Sequence, residues 1–88
     1  LFLGAHIGNV SSKEKKELGI EGGVKIDNLT QGKLLQQGVK KGFIITKINQ
    51  KSIKSPEQLT DMLKYLKGGV LIEGVYPSGA KAYYGFGM

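Results

Sequence analysis

The chain has 88 residues and a formal net charge of +6, with 13 Lys, no Arg, no Cys and a single His. That length predicts one domain with a modest core, because folding at this size hides only about 60% of the unfolded surface. The missing cysteines exclude disulfides and, with one His, a structural zinc site, and the missing Arg argues against nucleic-acid readout, where bidentate guanidinium contacts dominate.

The first stretch, Leu1 to Gly8, is apolar and broken by Gly4. Ala5 to Val10 reads as a strand carrying Ala5 and Ile7 on one face. Ser11 to Lys16 is polar and reads as a loop or a ragged helical turn. Glu21-Gly22-Gly23 marks a turn, and Val24 to Leu29 alternates apolar and polar as a half-buried strand does. Gln31 to Gln37 lies between Gly32 and Gly38, and Leu34 and Leu35 predict a single helical turn packing inward.

Gly38 to Ile53 organises the middle of the chain. Gly38 and Gly42 bracket a polar corner. Phe43 to Ile48 is rich in β-branched and aromatic residues, so it reads as a strand buried on both faces for part of its length. Asn49-Gln50 is a turn pair, since Asn tolerates the left-handed region, and Ile53 returns an apolar side chain to the core.

Ser55 to Lys67 is the strongest predicted helix. Ser55 suits the N-cap and Pro56 the first helical position, where its missing N–H costs little. Glu57 complements the positive end of the helix dipole, and Lys64 and Lys67 the negative end. Leu59, Met62, Leu63 and Leu66 make one apolar stripe, and Gly68-Gly69 ends the helix. Val70 to Val75 reads as a buried strand, Pro77-Ser78-Gly79 as a hairpin turn, and Lys81 to Phe86 as a closing strand. Five or six short strands with two helical pieces predict an α+β domain, a small partly open β-barrel or sandwich capped by one long helix and one short helical turn. The long helix then leaves a groove against a strand edge.

The parts of an enzyme are missing. His6 has no serine and acid placed to make a triad; Ser11, Ser12, Ser52, Ser55 and Ser78 all sit in turn or cap contexts. The seven acids are dispersed, without the spaced pair that general acid–base chemistry uses, and no phosphate-binding GxxxxGK[ST] occurs. No catalytic residue, cofactor or metal is expected. No run is long enough to cross a bilayer, and no signal peptide is visible. The chain opens on Leu rather than Met, so we expect a domain excised from a longer protein. The lysines read as a solvated surface, with attraction to acidic partners or a membrane surface as the sharper reading.

One order of segments is specific: Leu3-Gly4-Ala5, a polar insert, Gly23-Val24-Lys25-Ile26, Gly32 to Gly38, then Val39 to Asn49 and a helix opened by Ser55-Pro56-Glu57-Gln58-Leu59. This order resembles a PDZ domain, of the type appended to bacterial HtrA/DegP-like (Do-like) periplasmic serine proteases, and covers nearly all of residues 1–88. The chain departs from the family in having Gly42-Phe43 where Gly-Asp is usual, and Leu34-Leu35 where small residues are usual. The resemblance implies a peptide-binding module in which Phe2-Leu3-Gly4-Ala5 is the carboxylate-binding loop. A peptide C-terminus or extended segment would add as a strand beside Ala5-His6-Ile7. Pro56, Thr60 and Leu63 would line the helix side, with Leu3, Ala5, Ile7 and Leu63 around the ligand's last side chain. Pro56 stands where some PDZ domains carry a hydroxyl-binding His, so apolar ligand residues are expected. His6 is expected to face solvent or a cross-strand neighbour. The resemblance also implies a periplasmic location by family. As an alternative role it implies a structural domain docking onto neighbouring PDZ or protease domains.

Overall fold

The computed structural model of the protein describes residues 2–88, so Leu1 of the apolar opening lies outside the described residues. Six strands form one antiparallel sheet: β1 (Ala5–Asn9), β2 (Val24–Leu29), β3 (Ile44–Ile48), β4 (Lys51–Ser52), β5 (Gly69–Val75) and β6 (Lys81–Gly87). The order is β1-β2-β3-β5-β6, with β4 folded back on β3, so β1 and β6 are the two edges. Three helices complete the fold: α1 (Ser12–Leu18), α2 (Lys33–Gln36) and α3 (Pro56–Leu63).

The expected double burial of the central strand holds. Ile44 and Ile45 are both fully buried, yet Ile45 joins the main core while Ile44 joins a second cluster with Val10 and Val75. Successive side chains on a strand point to opposite faces, so β3 forms the wall between two apolar layers. The main core gathers Phe2, Val24, Ile26, Leu34, Phe43, Ile48, Ile53, Leu59 and Ile72. Burying each such side chain contributes about 1.5–3 kcal/mol relative to exposure. Phe43 also packs edge-on to Tyr84, with ring centroids 5.3 Å apart, and tilted against Tyr76 at 4.8 Å.

Three expectations need correction. Ser11 to Lys16 is neither loop nor ragged turn but the start of α1. The Ser11 side chain accepts from the Glu14 N–H at 3.1 Å, an N-cap bond, and Gly19 ends the helix in the left-handed conformation at φ 68°. The long helix stops at Leu63 rather than Lys67. The Lys64 N–H donates to the Asp61 carbonyl and the Tyr65 N–H to that of Met62, i→i−3 bonds that tighten the last turn and release the chain. Leu66 still packs against the core from beyond the helix. On α2, Leu34 is buried but Leu35 is 44% exposed, because a four-residue helix offers only one face to the sheet.

The start of α3 follows its sequence closely. Ser55 caps the Gln58 N–H at 3.3 Å, and the Gln58 side chain reaches back to accept from the Lys54 N–H at 2.9 Å and to donate to the Ser52 carbonyl at 3.0 Å. This fixes the helix to β4 and sets the angle at which it faces β1.

Candidate functional site

The edge strand β1 begins from a tight turn. The Ala5 N–H donates to the Phe2 carbonyl and the Phe2 N–H to the Ala5 carbonyl, both at 2.9 Å. The two central residues have positive φ, 50° at Leu3 and 88° at Gly4, the pattern of a type I′ turn. A leucine held there stores of the order of 1–2 kcal/mol of strain.

The turn's carbonyls are all occupied on its inner side. Gly4 C=O accepts from both the N–H and the hydroxyl of Thr30, each at 2.8 Å, and Leu3 C=O accepts from the Leu34 N–H at 3.4 Å. Among the described residues, neither the Leu3 nor the Gly4 N–H has a backbone acceptor. The turn therefore presents amide donors at the head of a strand whose outer edge has no strand partner among the described residues.

β1 pairs with β2 from Ala5↔Leu29 to Asn9↔Val24, with a register shift between His6 and Ile7 where Asp27 is passed over. His6 is exposed, opposite Asn28. Helix α3 lies alongside, and a cleft of about 290 Å³ opens between them, lined by Ile7, Pro56, Glu57, Thr60 and Asp61. The Thr60 hydroxyl donates back to the Pro56 carbonyl at 3.0 Å, so its proton is committed within the helix.

The structure thus brings Ile7, Pro56 and Thr60 together around one opening. Leu3 and Leu63 are half-buried and pack against the main core. Ala5 is fully buried within that core, so its small side chain does not widen an open pocket, and its own N–H and C=O are engaged by Phe2. Sequence reasoning passed over Glu57 and Asp61 as parts of this wall. The signal was present: Pro56, Glu57, Thr60 and Asp61 sit at i, i+1, i+4 and i+5, a stripe beside the apolar one.

Elsewhere, a hollow of about 410 Å³ borders the second apolar cluster, with Ile20, Lys47, Glu73, Lys81 and Tyr83 among its lining. It is larger than the β1–α3 cleft, but its walls carry mixed charges and it lies away from the Leu3–Gly4 turn and α3. Among the described residues, no helix is long and apolar enough to cross a membrane.

No protein-family model matches the chain. A probable periplasmic serine endoprotease, DegP-like, from Pseudomonas savastanoi pv. phaseolicola is 34% identical over 64 residues. A protein of the same description from Pseudomonas putida strain W619 is 31% identical over 64 residues. Each match takes in 73% of this chain and 13% of the relative, so the chain spans only a small part of those proteins. Among solved structures, the HtrA3 PDZ domain bound to a phage-derived ligand, FGRWV, superposes with a TM-score of 0.81 at 15% identity, covering 98% of this chain and 82% of that one. The likeness in sequence and the likeness in fold meet in one conclusion: the chain is a PDZ domain of the HtrA/DegP-like protease family.

Proposed function

We propose that the chain captures peptide C-termini by strand addition to β1, as a substrate-recognising module of a periplasmic DegP-like serine endoprotease. One observation carries this reading: the free edge of β1 starts from a turn whose Leu3 and Gly4 amides lack backbone acceptors, with α3 standing over it. The ligand carboxylate would lie on those amides, its backbone along Ala5-His6-Ile7, and its side chains against Ile7, Pro56, Thr60 and Leu63. The HtrA3 PDZ domain binds a ligand ending in Val, which supports an apolar terminal residue here.

The test is titration of the isotope-labelled domain with FGRWV and with its C-terminally amidated form. The expected result is amide shifts at Gly4 to Ile7, Thr60 and Leu63, with the amidated peptide weaker. Shifts confined to the Lys-rich α1, or equal binding of the two forms, would refute the reading.

A second reading is favoured by the burial of Ala5 and the packing of Leu3 and Leu63 against the main core, away from the residues that line the β1–α3 cleft. On that reading the β1 edge docks a neighbouring domain of the parent protease and helps build or regulate its oligomer. Binding to that domain undiminished by excess peptide would favour it.

A further inference from the structure

We infer that Glu57 and Asp61 make this groove selective for a cationic side chain at the third residue from the ligand's C-terminus; this rests on the strand-addition reading above. Glu57 and Asp61 line the cleft together with Ile7, Pro56 and Thr60. Both are exposed. Among the described residues neither makes a salt bridge; the pairs formed are Lys13–Glu17 and Lys25–Glu14.

Helix stability accounts for only one of them. Glu57 lies in the first turn, where the dipole favours an acid. Asp61 lies beyond that turn, is a poor helix former, and repels Glu57 from i+4. A cation between the two relieves that repulsion. The position follows from geometry. Side chains of an added strand that face α3 recur about every 6.6 Å. At a rise of about 1.5 Å per residue, that step spans four to five residues of α3. Counting back from Leu63, beside the terminal side chain, it reaches Leu59 or Gln58, the middle of the Pro56 to Asp61 wall.

The net charge of the domain makes the effect separable. At +6, the domain as a whole attracts an acidic peptide more than a basic one, so a preference for the basic peptide has to arise locally.

The experiment measures affinities of FGRWV and FGEWV for the wild type and for a Glu57→Lys/Asp61→Lys double variant, at low and high ionic strength. The wild type should prefer FGRWV by about tenfold at low salt, given two exposed charges acting on one side chain. The preference should shrink as salt rises and reverse in the double variant. Equal affinities of the two peptides for the wild type, or a preference unchanged by the double substitution, overturns this inference while leaving strand addition intact. Failure of both peptides to bind overturns the strand-addition reading and this inference with it.

Discussion

Replacing Gly4 by Ala tests the turn at the head of β1, and Gly19→Ala supplies its control. Both glycines are left-handed, at φ 88° and 68°. A Cβ in that region costs about 1–2 kcal/mol, offset by about 0.4–1 kcal/mol from the stiffer unfolded chain. At Gly19 nothing lies within 4 Å of the new methyl, so the loss should stop near 1 kcal/mol. At Gly4 the methyl would sit 2.8 Å from the Gln31 carbonyl oxygen and 3.0 Å from the Gly32 Cα, backbone atoms that cannot rotate away. Moving that segment strains the two bonds from Thr30 to the Gly4 carbonyl, each worth about 1 kcal/mol. Gly4→Ala should therefore cost about 2–3 kcal/mol in all, the strain and strained-bond terms together. At about 4–8 °C per kcal/mol for a domain of this size, Gly4→Ala should melt roughly 8–24 °C below wild type, and Gly19→Ala only about 4–8 °C below. Calorimetry and urea titration of the two variants read this difference directly. If they melt within about 2 °C of each other, well inside the gap that scaling predicts, the close approach of the turn to residues 30–32 is not the constraint described.

Two further predictions concern titration. Burial and the hydrogen bond with Tyr76 push the Tyr84 hydroxyl up from 10.0 to about 12, so the folded state holds its proton longer than the unfolded state. The resulting stabilisation is complete below pH 10 and lost as pH rises toward 12. Tyr84→Phe should flatten that alkaline limb in pH-dependent melts; an unchanged limb would refute the assignment. At the other end of the scale, the hydrogen bond from Lys25, 2.7 Å long, holds the Glu14 carboxyl below its ordinary 4.5. A depressed carboxyl stabilises above its unfolded value and loses that contribution as pH falls through the folded one. In Lys25→Met, Glu14 should titrate closer to 4.5 by NMR, and a Glu14 titration unmoved from wild type would count against the pairing.

The sequence announced the elements whose apolar pattern is internally consistent. Val24-Lys25-Ile26 alternates and buries Val24 and Ile26, and Ser55-Pro56-Glu57-Gln58 starts a helix as its capping chemistry demands. Elements decided by tertiary contacts were less legible. α1 buries no residue, so it gives no apolar stripe to find; only the Ser11–Glu14 cap and Gly19 betray it. The end of α3 depends on bonds from Lys64 and Tyr65 that no local pattern dictates. At the site, residue order indicated which strand edge and helix would meet. The sealing of Ala5 and the turning of Glu57 and Asp61 into the cleft wall depend on how α3 is tilted, which is set by Gln58 gripping Ser52 and Lys54.

The central strand has one consequence for folding accuracy. A strand with a wet face resists sliding, because a one-residue slip would drown its grease and bury its charges. β3 lacks that safeguard at Ile44 and Ile45: exchanging two identical side chains between two dry layers changes little. Its alignment is marked only further along, where exposed Lys47 precedes buried Ile48, and Asn49 adds a fixed point, its N–H donating to the Leu71 carbonyl at 2.9 Å and its side-chain oxygen accepting from the Leu71 N–H at 2.8 Å. That residue works as a latch on the neighbouring β5. A chain without it would hold β3 against β5 with two fewer bonds at the end of the strand.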